Sequence, residues 1–404
     1  MKRFAVPLFT LGSLSWAASQ WLLIWMFARW GGGADAVGSY TLVLSIATPV
    51  FTLAQFGLRT VYLSLRVPFP WRTYLSLRII GIIAAGIVLV PYFGATAGGD
   101  LGLWPAVLLL KAADVWFDLL QARLQRMHRL LTLGVLNLLN SGGTLLLAFV
   151  LLRAFGSVTA AVVGSATISL AVAMAAWWLG RGAPDAVGPD RGYGVVARAG
   201  FPVMLSEALA SASTYLPVLI LSRITDESRI GIYAVASYLL TFANLGGAIL
   251  KNVLITPFRQ VLETQGGEAL LRRSRRLALL CIAIGAVGVA PVVMFGGDVI
   301  HALYGNEFAL SYGELALLGA AAVPIVPSYV YSTALNVFNR FAGQAWIWAG
   351  TVLLGLACGV VLALAGVDPL VVALGVALSS AWTRFACVAL LVERSATIPI
   401  AVRA

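Results

Sequence analysis

Three ionisable residues, Lys111, Asp114 and Asp118, interrupt the apolar stretch 102–122 at i, i+3 and i+7. On a helix this spacing puts all three on one face. A charge at membrane depth costs about 2.5–3.5 kcal/mol on insertion scales, so such a stripe faces protein or a watery cavity rather than lipid. Two chemistries fit. Either Lys111 and Asp114 neutralise each other so that the helix inserts, or Lys111 is a cavity cation that receives an anion and is tuned by its acidic neighbours. Glu207, within Leu205-Ser206-Glu207-Ala208, lies about a third of the way into the stretch 199–222. A lone acid there titrates with a proton, holds a sodium ion, or partners a nearby Arg. Arg59 and Lys251 stand near the ends of the second and eighth stretches, and Arg384 lies deep in the last. Cations so placed either flank a cleft for an anionic group or snorkel to lipid headgroups. The candidate substrate-binding residues are therefore Arg59, Lys111, Lys251 and Arg384. Asp114, Asp118 and Glu207 are candidate ion-coupling groups or charge partners.

Other chemistry is missing from the sequence. There is no Gly-x-x-x-x-Gly-Lys-Ser/Thr phosphate loop, no His-Glu-x-x-His and no Gly-x-Ser-x-Gly. His128 and His301 fall on opposite membrane faces and share no metal. Cys281, Cys358 and Cys387 sit in apolar runs without metal-ligand spacing and read as small buried residues. No cofactor and no metal are expected, and the chain does not read as an enzyme. The largest outer loop, about 296–311, offers only Asp298, His301 and Glu307, which fit a solvated turn. Trp16, Trp21 and Trp25 lie beside Gln20 on the first stretch, a pattern that suits either sugar stacking or the lipid interface.

The elements that position these residues follow from composition. Of 404 residues, 60 % are hydrophobic and 11 % charged, with a mean hydropathy of +0.94. Soluble chains carry roughly 45–50 % apolar and about 25 % charged residues. This excludes a soluble enzyme, a nucleic-acid-binding protein and a disordered chain, and leaves a polytopic membrane protein. A bilayer core of about 30 Å needs about 20 apolar residues per helix. Twelve runs meet that length: 4–28, 38–62, 74–95, 102–122, 131–152, 158–180, 199–222, 230–255, 277–296, 312–337, 344–365 and 370–392. The breaks carry turn chemistry: Gly31-Gly32-Gly33, Gly98-Gly99-Asp100, Gly156-Ser157, Asp226-Glu227-Ser228 and Val367-Asp368-Pro369. With the N-terminus inside, twenty of the 27 Lys and Arg residues fall on the cytoplasmic side, four outside and three within spans. That asymmetry puts both termini in the cytoplasm. It also explains the +11 net charge as basic loops against an anionic leaflet.

The two halves repeat. Arg29 precedes Gly38-Ser39-Tyr40 at the start of the second span, and Arg223 precedes Gly231-Ile232-Tyr233 at the start of the eighth. Six spans per half is an even number, so the halves are expected to be parallel repeats about an axis along the membrane normal. The expected organisation is an N-terminal six-helix lobe (1–180), a cytoplasmic linker (181–198), a C-terminal six-helix lobe (199–392) and a cytoplasmic tail (393–404). The fold class is all-α, with twelve transmembrane helices in two pseudo-symmetric lobes.

The twelve-span, two-lobe plan resembles the polysaccharide-export (O-antigen, Wzx-type) flippases of the multidrug/oligosaccharidyl-lipid/polysaccharide (MOP) superfamily, a MATE-like fold. The local resemblance lies in Gly38-Ser39-Tyr40, Pro49, Gln55-Phe56-Gly57-Leu58-Arg59, Leu124-Gln125-Arg126-Met127-His128-Arg129 and Gly231-Ile232-Tyr233. The resemblance implies transport of a polyprenyl-diphosphate-linked oligosaccharide across the bacterial inner membrane by alternating access, for surface polysaccharide biosynthesis. It implies membrane lipids, a polysaccharide polymerase and chain-length proteins as partners, and no nucleic acid. The first helix lacks a deep cation, so a cationic cavity draws on Arg59, Lys111, Lys251 and Arg384. Two rivals are a cation-coupled multidrug exporter of the same superfamily, which favours acidic cavity residues, and a membrane enzyme that polymerises or ligates glycans, which needs catalytic residues on an outer loop. The charge count makes a direct prediction. Cysteines placed at Gly32, Gly98, Asp226, Asn306 and Asp368 label from outside, and those at Arg66, Arg126, Asp190, Arg273 and Arg340 only from inside. External labelling at Asp190 or Arg273 overturns the topology.

Overall fold

The fold comes from a computed structural model, and the described residues are 2–64, 69–92, 102–181, 192–338 and 343–396. The turn Gly98-Gly99-Asp100, residues 182–191 of the expected linker, Arg66, Arg340 and the tail beyond residue 396 lie outside them. Among the described residues the chain is helical and has no strand. In order come α1 (Lys2–Trp30), α2 (Gly33–Ala54), α3 (Leu58–Ser64), α4 (Trp71–Leu89), α5 (Leu103–Arg126), α6 (Leu130–Phe155), α7 (Val158–Gly180) and α8 (Tyr193–Ile224). There follow α9 (Glu227–Ala236), α10 (Tyr238–Gln265), α11 (Gly267–Tyr304), α12 (Tyr312–Ala322), α13 (Ile325–Val337), α14 (Gly343–Leu364) and α15 (Pro369–Ala396). The pairs α2–α3, α9–α10 and α12–α13 are single spans broken once, so twelve spanning segments stand among the described residues.

Ten of the twelve are long and apolar enough to cross a membrane by length and composition alone. The two others are α1 and α5. In α5 the cause is the stripe of Lys111, Asp114 and Asp118; in α1 it is the dilution of apolar residues by Trp, Ser and Gln20. The apolar surface points outwards, as hydrocarbon demands. Ile80, Ile83 and Ile87 on α4, Ile284 and Val287 on α11, and Leu353, Val361 and Leu364 on α14 are all exposed. The chain is a multi-pass membrane protein.

Turn residues read in the sequence become helix caps. The Ser157 hydroxyl accepts from Ala160 N at the start of α7, and Asp226 accepts from Arg229 N at the start of α9. Asp368 accepts from Leu370 N at 2.9 Å as α15 opens. Each cap satisfies a backbone N–H that has no partner inside its own helix.

The helices gather into two compact units, Met1–Ser211 and Ala212–Ala404, with the boundary inside α8. In the first, Leu58, Tyr74, Leu120, Leu124 and Leu133 form the core. In the second, Phe258, Leu270, Val330 and Val392 do so.

A break in the second span shapes the interior of the first unit. The span does not continue as one helix from 38 to 62; it stops at Ala54 and restarts at Leu58. Phe56 and Gly57 both take left-handed backbone conformations, at φ 53° and 57°. The turn creates a notch that receives α8. A Cβ on Gly200 would lie 2.2 Å from the Phe56 carbonyl oxygen, so only glycine lets the two backbones approach this closely. Gly200 thereby fixes where α8 carries Glu207, and the break sets Arg59 at the start of a seven-residue helix facing α5. Replacing Gly200 by Ala is expected to cost about 1–3 kcal/mol through overpacking against unyielding backbone. The loss is read as a lowered melting midpoint of the purified protein in detergent, with Gly194→Ala, an open position on the same helix, as the control.

Candidate functional site

The first unit holds its charges around Asp118. One carboxylate oxygen accepts from Arg59 Nη1 at 3.0 Å, and the other from Arg78 Nη2 at 3.2 Å. Arg59 reaches further along the same face of α5, donating to Gln121 Oε1 at 3.3 Å and Gln125 Oε1 at 3.5 Å. Asp118, Gln121 and Gln125 stand at i, i+3 and i+7, so one helical face presents three acceptors to one guanidinium. The Arg78 side chain is fully buried, and its Nε and Nη1 find no hydrogen-bond partner among the described residues. Glu207 completes the group, within electrostatic reach of Asp118, Arg78 and Arg59.

Further up α5, Lys111 Nζ lies 3.7 Å from Asp114 Oδ2. Ser169 on α7 lies near Asp114, and its hydroxyl donates to Asn140 Oδ1 at 3.1 Å. Arg59 and Asp118 of the first set and Asp114 of the second border one cavity of about 290 Å³. Arg59, Asp114 and Asp118 supply its ions; Gln55, Gln121, Asn137 and Asn140 supply amides; and Trp16 supplies an aromatic face. Ions take this site over the adjacent hydrocarbon because every carboxylate has a cation nearby. Amides beside an indole can hydrogen-bond a polyol and stack on its carbon face.

The second unit holds a cavity of about 120 Å³ near Arg384. The guanidinium lies over the Tyr329 ring at 4.5 Å and the Trp348 ring at 4.6 Å. Asn244 Oδ1 accepts from Arg384 Nη1 at 3.4 Å and from the Tyr329 hydroxyl at 3.3 Å, tying α10, α13 and α15 together. Lys251, two turns further along α10, is within electrostatic reach of Arg384.

Of the residues read from the sequence, the structure gathers Arg59, Asp118 and Glu207 into one cluster. Lys111 and Asp114 form their own pair at the same cavity, and Lys251 and Arg384 stand in the second unit. Arg78 is the residue that sequence reasoning misses. The charge count groups it with the cytoplasmic basic residues, although it lies seven residues into α4 and is buried. Its position inside the third apolar run is the signal that separates it from a loop charge. The aromatic partners of Arg384 carry no such signal, because Tyr329 and Trp348 meet only through tertiary packing. Among the described residues no three His, Cys, Asp or Glu side chains gather in a group able to hold a metal.

The fold, with its broken and continuous helices, is shared with solved structures of MOP superfamily members. An inward-facing MATE multidrug resistance transporter of that superfamily superposes with a TM-score of 0.68 at 13 % identity, covering 93 % of both chains. The lipid II flippase MurJ, in its inward closed conformation, gives a TM-score of 0.71 at 12 % identity, covering 97 % of this chain and 88 % of MurJ. Residues 73–255 match the polysaccharide biosynthesis protein family. The capsular polysaccharide biosynthesis protein CapF of Staphylococcus aureus is 22 % identical over 321 residues, spanning 75 % of this chain and 79 % of CapF. The resemblance seen in the sequence, to the polysaccharide-export branch of this superfamily, therefore stands.

The shared carboxylate sets an expectation. Asp118→Asn takes from a buried guanidinium the carboxylate it is hydrogen-bonded to, a loss of about 3–5 kcal/mol for breaking a buried pair from one side. Adding Arg78→Met removes the orphaned cation, and the double variant is expected to recover a large part of the loss. Thermal melting of the single and double variants in detergent decides this; a single variant as stable as the wild type refutes the central role given to Asp118.

Proposed function

We propose that the chain moves a polyprenyl-diphosphate-linked oligosaccharide across the bacterial inner membrane, by alternating access, for the synthesis of a surface polysaccharide. One observation carries the reading. The segment matched by the polysaccharide biosynthesis family, 73–255, is also the segment that supplies Arg78, Lys111, Asp114, Asp118 and Glu207 to the first unit's charged site. The family likeness and the intramembrane chemistry thus fall on the same stretch of chain.

The substrate explains the chemistry. A diphosphate cannot enter hydrocarbon with its charge unmatched, and fixed cations replace its hydration. Arg59, Lys111, Lys251 and Arg384 are the cations this reading assigns to the substrate. The amides and Trp16 of the larger cavity suit the hydroxyls and carbon faces of the first sugars. Asp114, Asp118 and Glu207 hold the cations in place and are the groups through which a proton or sodium ion would couple to transport. The two lobes are parallel repeats, both termini face the cytoplasm, and the chain carries its cargo without chemical conversion. A polymerase and chain-length proteins act on the delivered glycan.

The test uses cells that lack the native transporter and measures protein level and exported glycan together. Lys111→Gln alone is expected to lower the amount of folded protein, since Asp114 loses its partner. Lys111→Gln with Asp114→Asn is expected to restore insertion while cutting export at least about tenfold, the size of one lost charge-assisted contact. A well-expressed double variant with full export removes Lys111 from the substrate path. Export lost in Glu207→Gln, with every cation dispensable, turns the reading towards a cation-coupled drug exporter.

A further inference from the structure

The two cavities differ in their charge balance. In the first unit Arg59, Arg78 and Lys111 stand against Asp114, Asp118 and Glu207, cation for anion. In the second unit no carboxylate lies within salt-bridge distance of Arg384 or Lys251 among the described residues. Ion pairs of this unit such as Arg229–Asp368, Arg259–Glu263, Arg272–Glu268 and Arg275–Glu393 stand on exposed positions elsewhere. Among the described residues, Arg384 therefore carries a positive charge at membrane depth with nothing of opposite sign beside it.

Its surroundings select how that charge is used. A guanidinium resting over aromatic rings is stabilised through its flat face and keeps its in-plane N–H edge for hydrogen bonding. Asn244 takes one of these donors, at a long 3.4 Å. One turn before Arg384, on the same face of α15, Ser380 also lines the cavity. Its relative exposure is only 7 %, and its hydroxyl has no hydrogen-bond partner among the described residues. The hydroxyl occupies space that a Cβ on Gly355 would take, at 2.5 Å. The neighbouring hydroxyls of Ser237, Thr241, Ser328 and Thr351 already donate to backbone carbonyls close by in the chain. Ser380 and Arg384, by contrast, keep hydrogen-bond donors to spare.

We propose that this second cavity is a phosphate subsite, in which the Arg384 fork and the Ser380 hydroxyl receive one phosphate of the lipid-linked diphosphate. The inference rests on the transport reading above and sharpens it: among the cations assigned to the substrate, Arg384 is the one set beside a spare hydroxyl to hold a phosphate. A planar donor edge one helical turn from a hydroxyl matches an oxyanion with several acceptor oxygens.

The experiment uses the full chain in lipid nanodiscs and titrates farnesyl diphosphate and, separately, farnesol, following tryptophan fluorescence. Arg384→Gln is expected to weaken farnesyl diphosphate binding about tenfold or more, and Ser380→Ala about threefold, with farnesol unchanged in both. Arg384→Lys keeps the charge but loses the fork; it is expected to bind the diphosphate several-fold more weakly, and it decides the matter if Arg384→Gln does not fold. Inorganic pyrophosphate is expected to displace the probe. Unchanged diphosphate affinity in the Arg384 variants overturns the subsite, as does an equal loss for farnesol. Displacement by glucuronate but not by pyrophosphate also overturns it, since the anion is then a sugar carboxylate. The two readings fail separately. Wild-type protein that binds the diphosphate yet exports no glycan in cells defeats the transport reading, whereas normal export with Arg384 variants that bind as wild type defeats only the subsite.

Discussion

The carboxylate of Asp118 holds the first unit's charges together. Two guanidiniums on two different helical segments meet on its two oxygens, one of them fully buried. In a low-dielectric interior each partner is tolerable only because the others are present. The arrangement links α3, α4 and α5 through a single side chain, and the notch at Phe56 and Gly57 brings Glu207 of α8 to the same place. Removing the break would leave Arg59 on a continuous helix whose face is set by α2. The site is thus a product of an irregular backbone held in register by charge.

The second unit reaches polarity by another route. Its half-buried cation is held by ring faces and one amide, with no acid beside it among the described residues. Carboxylate partners lock an arginine and cancel its field; aromatic partners hold its position and leave the field intact. The same residue type therefore stands in two electrostatic settings, and the difference lies wholly in what surrounds it.

Much of this was legible in the sequence, for identifiable reasons. Apolar runs of bilayer length gave the twelve segments, because hydrocarbon requires continuous helices whatever their tertiary contacts. Ser157, Asp226 and Asp368 could be read as turn residues because capping is local chemistry. The stripe on α5 was visible because helical periodicity alone puts Lys111, Asp114 and Asp118 on one side. The missing parts were those that depend on contacts distant in sequence. Arg78 looked like a charge at the cytoplasmic face because its depth depends on where α4 begins, at Trp71. The break at Gln55-Phe56-Gly57 was hidden in an apolar run, since a left-handed Phe56 has no compositional signature. The rings over Arg384 come from α13 and α14, so no spacing along the chain announces them.

The lack of an acid beside Arg384 among the described residues has an electrical consequence. In a bilayer that sustains a voltage, each elementary charge carried across the whole field is worth about 2.3 kcal/mol per 100 mV. The first unit's cluster, with equal numbers of cations and anions, is nearly blind to that field. A bare guanidinium is not: an inside-negative potential draws it towards the cytoplasm while its cavity is empty. The anionic headgroup proposed for this cavity cancels the charge and with it the pull. On that proposal, membrane voltage acts on the unloaded protein and leaves the loaded one alone.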